Sequence, residues 1–401
     1  MNAADGPAPR SNRACPICAS ASALALHDNR MAEIDGIDLS YQVVNCNDCG
    51  FAYATQLASP GQYAAYYRAM SKYDFVPSVD RIAPVDRFRA VTAVNLCRPY
   101  LRGDELVVDV GCGCGTLLAH FRDAGFSRVC GFDPSANATA AAQRLFGIDS
   151  VREGALADAI DRIDFPDRVL VCATGVLEHL LDPAADMRRL AARLPEGAYV
   201  LLEVPARERF DRSPMEPYGE LSLEHVQFFG ARDLATLAAT AGLEPVALRL
   251  VDMDAGCTDS VFGLFRKSAS SAAGLRTDDD RLADRAAFQV YLARSAEIMS
   301  HALDRLEPSR GAPWVIYGAG SHSARLLPAL RSRGLLDGVV GLLDGNPHLQ
   351  GHDFGGLEVQ PPSALARLPE AVVVVSSFRS EAAIARAVAA AYPNRVQRLY
   401  G

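Results

Sequence analysis

The stretch VVDVGCGCGTLL, Val107 to Leu118, decides the fold. A β-branched apolar run ends in Asp109 and is followed at once by Gly111, Gly113 and Gly115, then by a helical pattern. Glycines at these places let the backbone turn sharply out of a strand and approach a ligand that a Cβ would block. A second short strand, VCGFDPS, ends in Asp133 about twenty residues on, the distance at which a carboxylate reaches ribose hydroxyls. That layout serves either a dinucleotide or S-adenosylmethionine. A tight strand-to-helix turn without a ligand is the bland alternative.

Outward from this loop the chain alternates strand and helix. ELVVDV, SRVCGFD, DRVLVCATG and AYVLLEVP read as strands, with later ones around ALRLVDMD and SVFGLFRKS. Strands separated by helical stretches predict a parallel, doubly wound sheet. A small polar break, Ser268 to Gly274, reads as a linker, and Asp278 to Leu306 as one long amphipathic helix. The third block runs from PWVIYGAGSHSARLLPAL to VVVVSSFRSEAAIARAVAAAY and is again β-α-β in rhythm. Its four consecutive valines, Val372 to Val375, predict a fully buried strand. The expected architecture is α/β in three parts: a small N-terminal zinc-binding module with a tyrosine-rich segment (1–80), a central Rossmann-like domain (81–270), and a linker helix with a C-terminal Rossmann-like domain (271–401).

Composition bounds the function. With 401 residues, 49% apolar and 22% charged, the chain has material for large cores. A net charge of −8 with no basic block argues against nucleic acid as partner. No run reaches the length of a membrane span and the first residues lack an apolar signal region, so a cytoplasmic protein is expected.

Ten cysteines are many for such a protein unless some bind metal. Cys15-Pro-Ile-Cys18 and Cys46-Asn-Asp-Cys49 form two C-x-x-C knuckles separated by 27 residues. Each knuckle aims two thiolates at one ion, and four cysteines leave no place for water, so the zinc would be structural. A disulfide pair or unrelated buried thiols are the alternatives. Cys97, Cys112, Cys114, Cys130, Cys172 and Cys257 are expected to pack as small apolar residues.

The acid-led D-x-G-x-G-x-G resembles motif I of class I S-adenosylmethionine-dependent methyltransferases more than G-x-G-x-x-G. TGVLEHLLDP (Thr174 to Pro183) and LSLEHVQFFGARDLATLAATAGL resemble two further segments of one methyltransferase subfamily. The module order resembles the zinc-containing NDP-sugar C-methyltransferases of deoxysugar pathways. That resemblance implies S-adenosylmethionine and a small-molecule acceptor, a nucleotide-linked sugar methylated at the carbon beside a 4-keto group. By position, Asp109 leads the cofactor loop, Gly111 to Gly115 line the methionine part, and Asp133 holds the ribose. The adenine-side acid is not obvious: Ala155 stands in its place, with Asp158 as a substitute. His179 and His225 become the candidate bases, Glu224 orients or shares the proton, and Tyr73 and Tyr218 contact the substrate. For His179 the alternative is a place on the methionine side of the cofactor, and for Glu224–His225 a structural pair.

One departure stands out. The resemblance implies a tyrosine two residues before Glu224, and this chain has Ser222. A serine is too short to act as that phenol would, so an O- or N-methyltransferase of another small natural-product intermediate is the alternative, since such nucleophiles need only a base and proximity. A non-catalytic sugar-nucleotide or NAD-binding protein is the second.

In the third block, Gly318-Ala319-Gly320 follows a strand, and Asp344 ends the next one about two dozen residues on. Ser323 holds the third glycine position. A cofactor-free domain that helps enclose the nucleotide sugar is expected, with NAD binding as the alternative. His322 either contacts a phosphate or caps the helix.

Overall fold

Each predicted β-rich run pairs, and the pairing divides the molecule into three sheets among the residues described: 12–69, 78–214, 216–253, 257–268 and 278–401 of a computed structural model. The N-terminal sheet begins as an antiparallel meander of β1 (Ala23–Asn29), β2 (Tyr41–Cys46) and β3 (Ala52–Thr55). Cys46 closes β2, and Gly50, at φ +74°, lets the chain turn past Cys49 into β3. Two helices, α1 (Pro60–Ala69) and α2 (Pro84–Cys97), lead into the central domain.

The central sheet contains β4 (Leu106–Val110), β5 (Arg128–Asp133), β6 (Val151–Glu153), β7 (Val169–Thr174) and β8 (Tyr199–Pro205), all parallel. The helices between them are α3 (Thr116–Asp123), α4 (Ala136–Phe146), α5 (Leu156–Arg162) and α6 (Pro183–Arg193). Beyond β8 the chain makes β9 (Gln227–Phe228), α7 (Ala231–Thr240), β10 (Leu243–Val251) and β11 (Ser260–Lys267). The seven strands lie in the order β10-β11-β8-β7-β4-β5-β6.

One finding departs from the sequence reading, and a second lies outside it. β10 and β11 form an antiparallel hairpin rather than continuing the parallel sheet. The connection 252–259 is too short for the crossover that a parallel pair requires. The short β9 does not join the central sheet at all; it adds to the N-terminal sheet, Ala52 opposite Phe228 and Tyr53 opposite Gln227.

A long helix, α8 (Asp278–Asp304), carries the chain to the third sheet. That sheet comprises β12 (Trp314–Tyr317), β13 (Val339–Leu343), β14 (Asp353–Phe354), β15 (Leu357–Gln360), β16 (Val372–Val375) and β17 (Val396–Arg398), with α9 (Ser321–Ser332) and α10 (Glu381–Ala391). Its order is β14-β15-β13-β12-β16-β17, and β12 pairs parallel with both β13 and β16. The valines of β16 are all buried, as a strand covered on both faces requires.

The cores are less modular than the chain order. Leu39 and Tyr41 of the N-terminal module, Phe288 and Tyr291 of α8, and Trp314 and Leu326 of the third domain belong to one continuous apolar cluster. Arg207 adds a buried polar tie. Its guanidinium meets Asp233 on α7 at 2.9 Å and Asp284 on α8 at 3.0 Å, and donates to the Gly50 carbonyl at 3.0 Å. Of the non-knuckle cysteines, Cys97, Cys112, Cys114 and Cys172 are buried, while Cys130 and Cys257 are half-buried. Among the described residues no helix is long and apolar enough to cross a membrane.

Candidate active site

The loop after β4 is held open by backbone geometry. Gly111, Gly113 and Gly115 adopt φ of +71°, +50° and +82°, where an L side chain is strained. A Cβ on Gly111 would lie 2.6 Å from Val176 Cγ2, and one on Gly115 would lie 3.0 Å from Ala142 Cβ. Packing therefore fixes two of the three glycines. Gly113 donates its N–H to Asp133 Oδ2 at 2.8 Å, and Ser135 donates to Oδ1 at 2.9 Å. Asp133 thus braces the loop from the end of β5.

Asp109 lies beneath the loop, 2% exposed, and its Oδ1 accepts no hydrogen bond among the described residues. Burial, and then the neighbouring Asp133 charge, push this carboxyl well above the ordinary carboxylate range. Asp109 lines a small cavity with Asp86, Arg89, Thr116 and Thr174. Arg89 meets Asp86 at 3.0 Å and the fully buried Glu203 at 3.1 Å. Sequence reasoning misses this trio, because nothing in the spacing of a helical Asp and Arg links them to a glutamate in a distant strand. Asp158 is a cap: its carboxylate accepts the Ala155 N–H at 2.9 Å and pairs with Arg162 at 3.0 Å.

The state of Asp109 is testable. With the folded pKa raised, the folded protein keeps a proton that the unfolded chain releases, so stability falls as pH rises from the unfolded value through the folded one. Asp109→Asn removes that loss. Its ligand-free melting temperature should exceed the wild-type value by a few degrees near about pH 8, and the gap should close toward about pH 4. A gap independent of pH counts against a titrating Asp109.

The histidine segments meet beyond the ends of β7 and β8. Leu177–His179 form a single 3-10 turn, and Val226 donates its N–H to the Glu178 carbonyl at 2.8 Å. This bond stitches the two L-E-H segments together. The rings of His179 and His225 lie edge to face, 4.9 Å between centroids, and His179 Nδ1 is 3.7 Å from Glu224 Oε2. Glu224 also accepts a hydrogen bond from Tyr66 on α1, whose phenol burial pushes above its ordinary value. Ser222 works locally. Its Oγ accepts the N–H groups of Glu224 (3.3 Å) and His225 (3.0 Å), closing the turn that presents both. Ligand atoms of Glu178, His179 and His225 lie within 4.8 Å of one another, a spacing open to proton transfer or to a cation.

The remaining predicted residues are dispersed. Tyr218, at φ +57°, stacks on His27 with centroids 4.6 Å apart, and burial lowers the His27 pKa to about 4. Tyr73 lies outside the described residues. His322 sits in the C-terminal domain, its Nδ1 2.7 Å from Ser376 Oγ and its Nε2 against the Tyr400 hydroxyl. Burial lowers its pKa to about 4, so it is neutral, and it neither caps a helix nor approaches the other histidines' cluster. Cys15, Cys18, Cys46 and Cys49 converge, with all four sulfurs within 4.8 Å, Cys15–Cys49 at 3.6 Å and Cys18–Cys46 at 3.5 Å. Those separations exclude disulfides, which need about 2.05 Å.

Residues 85–248 match the family described as "Methyltransferase domain". That match places a methyltransferase domain in the middle of this chain. Its parallel strands, glycine turn and terminal antiparallel hairpin form the class I S-adenosylmethionine-dependent methyltransferase fold. Among curated proteins, the chain is 26% identical over 162 residues to a trans-aconitate 2-methyltransferase of Rhodococcus jostii, covering 40% of this chain and 61% of that protein. It is 30% identical over 163 residues to a ubiquinone biosynthesis O-methyltransferase of Ralstonia nicotianae, covering 36% and 64%. The chain thus spans about three fifths of the length of these curated relatives. Among solved structures, the Burkholderia thailandensis 1,6-didemethyltoxoflavin-N1-methyltransferase is 22% identical, with a TM-score of 0.39, 55% of this chain covered and 97% of that one. The family match begins after β3 and ends before the C-terminal domain, so the methyltransferase domain, with its two L-E-H segments, is flanked by modules outside that match.

Proposed function

We propose that this chain transfers a methyl group from S-adenosylmethionine to the carbon beside the 4-keto group of a nucleotide-linked deoxysugar. The observation that carries this reading is the bond from Val226 to the Glu178 carbonyl, which brings two imidazoles and the Glu224 carboxylate to one point. A carbon nucleophile needs a base for the α-proton, and this is a base with a partner. In this reading His225 removes the α-proton, His179, with Glu224 beside it, holds the imidazole in position, and the enolate carbon would take the methyl while S-adenosylhomocysteine leaves as a neutral thioether. S-adenosylmethionine supplies the activated methyl. The chain's own residues fit it: the unsatisfied Asp109 Oδ1 is placed for an ammonium, and Asp133, already bracing the loop, offers its remaining lone pairs to ribose hydroxyls.

The four-cysteine cluster supports a structural zinc. A tetrahedral shell with Zn–S of about 2.3 Å puts sulfurs about 3.8 Å apart, close to the pairs at 3.5 and 3.6 Å. Residues 1–80, 81–270 and 271–401 then divide the labour: metal-held platform, methyl transfer, and enclosure of a nucleotide sugar. Ser222 favours a second reading, methyl transfer to oxygen or nitrogen, because its hydroxyl is committed to the turn and gives no phenol to an enolate.

Mass spectrometry after incubation with S-adenosylmethionine and a panel of nucleotide-linked 4-keto-6-deoxysugars separates the two. Carbon methylation with solvent deuterium at the α-position is the expected result. A product methylated on oxygen or nitrogen, or no product alongside S-adenosylhomocysteine binding, overturns the acceptor and leaves the cofactor.

A further inference from the structure

A cavity of about 450 Å³ opens beyond the carboxyl ends of β12, β13 and β16, within the size range of small-molecule sites. Its place is a topological switch point, because β13 and β16 leave β12 on opposite sides. Open α/β sheets bind ligands at such crevices. The acid there repeats, bond for bond, the brace seen at the cofactor loop. Asp344 Oδ2 accepts the Ala319 N–H at 2.8 Å and Oδ1 accepts the Asn346 N–H at 2.7 Å. Asp133 does the same for Gly113 and Ser135.

The floor of the crevice is closed. His322 and Ser323 both bond Ser376 Oγ, at 2.7 and 2.6 Å, and a Cβ on Gly318 would sit 2.7 Å from the Ser376 carbonyl. A ligand must therefore lie above this neutral network, between Asp344 and the first turn of α9. Tyr317 and Ile384 offer an aromatic and an aliphatic wall on that side.

An anion already stands at the α9 end. Glu216, reaching over from the methyltransferase domain, accepts from Ser321 Oγ at 3.3 Å and pairs with the buried Arg325 at 3.3 Å. Arg325 also donates to the Pro217 and Leu221 carbonyls, so a phosphate there would take the helix start and the one guanidinium contact that Glu216 now holds.

We propose that this crevice binds a ribonucleoside 5′-phosphate. Asp344 accepts from the ribose 2′,3′-diol, and the phosphate takes the place of the Glu216 carboxylate beside Ser321 and Arg325. The site is separate from the cofactor loop and does not depend on methyl transfer.

Calorimetric titration of the full-length protein, pre-saturated with S-adenosylhomocysteine, tests this with AMP, GMP, UMP and CMP and their 2′-deoxy counterparts. At least one ribonucleotide should bind, and its 2′-deoxy form about tenfold more weakly, since the acid loses a donor. Asp344→Asn should bring that ratio toward one. Glu216→Gln should tighten binding by about threefold or more, because the competing charge is gone. Equal binding of ribo and deoxy forms to the wild-type protein overturns the role of Asp344 even where the Asp344 variant fails to fold. No nucleotide binding, or weaker binding by Glu216→Gln, overturns the site. S-adenosylhomocysteine binding is read in the same experiment, so failure here leaves the methyltransferase reading intact.

Discussion

Replacing His225 with alanine is expected to lower methyl transfer by roughly 10²–10⁴-fold, the range that a positioned proton acceptor contributes. S-adenosylhomocysteine affinity should stay within about twofold of wild type. The two effects separate because His225 belongs to the turn closed by Ser222, whereas Gly113, Asp133 and Asp109 form the cofactor loop on other elements. The turn itself should survive the change, since Ser222 Oγ bonds the backbone N–H of residue 225 and not its ring. His179→Ala should cost less alone, and the double variant should lose less than the sum, because the two rings lie edge to face and His179 sits beside Glu224. Single-turnover rates together with cofactor binding by calorimetry check this. Turnover unchanged in His225→Ala removes it from the mechanism.

Metal removal is expected to have the largest effect on stability. Structural zinc in small finger peptides contributes about 10–16 kcal/mol, as much as the whole stability of a typical domain. Cys46 is fully buried, and Val44, Phe51 and Tyr53 around it pack in the same cluster as Val200, Leu202 and Phe229 of the methyltransferase domain. Loss of the knuckles therefore exposes apolar surface on both sides of that seam. Cys46→Ser, or treatment with a strong thiol-competing chelator, should lower the melting temperature by more than about 10 °C. Elemental analysis should find one zinc per chain beforehand. An unchanged melting curve in a metal-free protein would show that the four thiols are ordinary packing residues.

Much of the methyltransferase domain is legible in the sequence because its signals are local. The glycine turn, the acid that ends β5 and the β-branched run of β4 are each marked within a few residues, where period and turn chemistry speak directly. The antiparallel hairpin of β10 and β11 is harder, since apolar runs carry no direction; only the short connection betrays it. The docking of β9 on β3 is hidden because a two-residue strand leaves no period to read. The Arg89–Glu203 pair and the Tyr66–Glu224 bond join residues far apart in the chain, and neither has a spacing that marks it. Ser222 reads in the sequence as an absent phenol, and its actual work, accepting two backbone N–H groups, lies in the fine geometry of one turn.

The pairing of β9 with β3 has a mechanical consequence. The strand that hangs from the edge of the cysteine-bearing sheet begins two residues after His225, and Ala54 tightens the join by donating its N–H to the Val226 carbonyl at 2.9 Å. The proposed base is thus suspended from the cysteine module while the glycine loop is anchored in a different sheet. Oxidation of a single knuckle thiol would slacken that suspension first. An oxidised protein should lose turnover together with stability, a redox dependence that methyl transfer itself does not require.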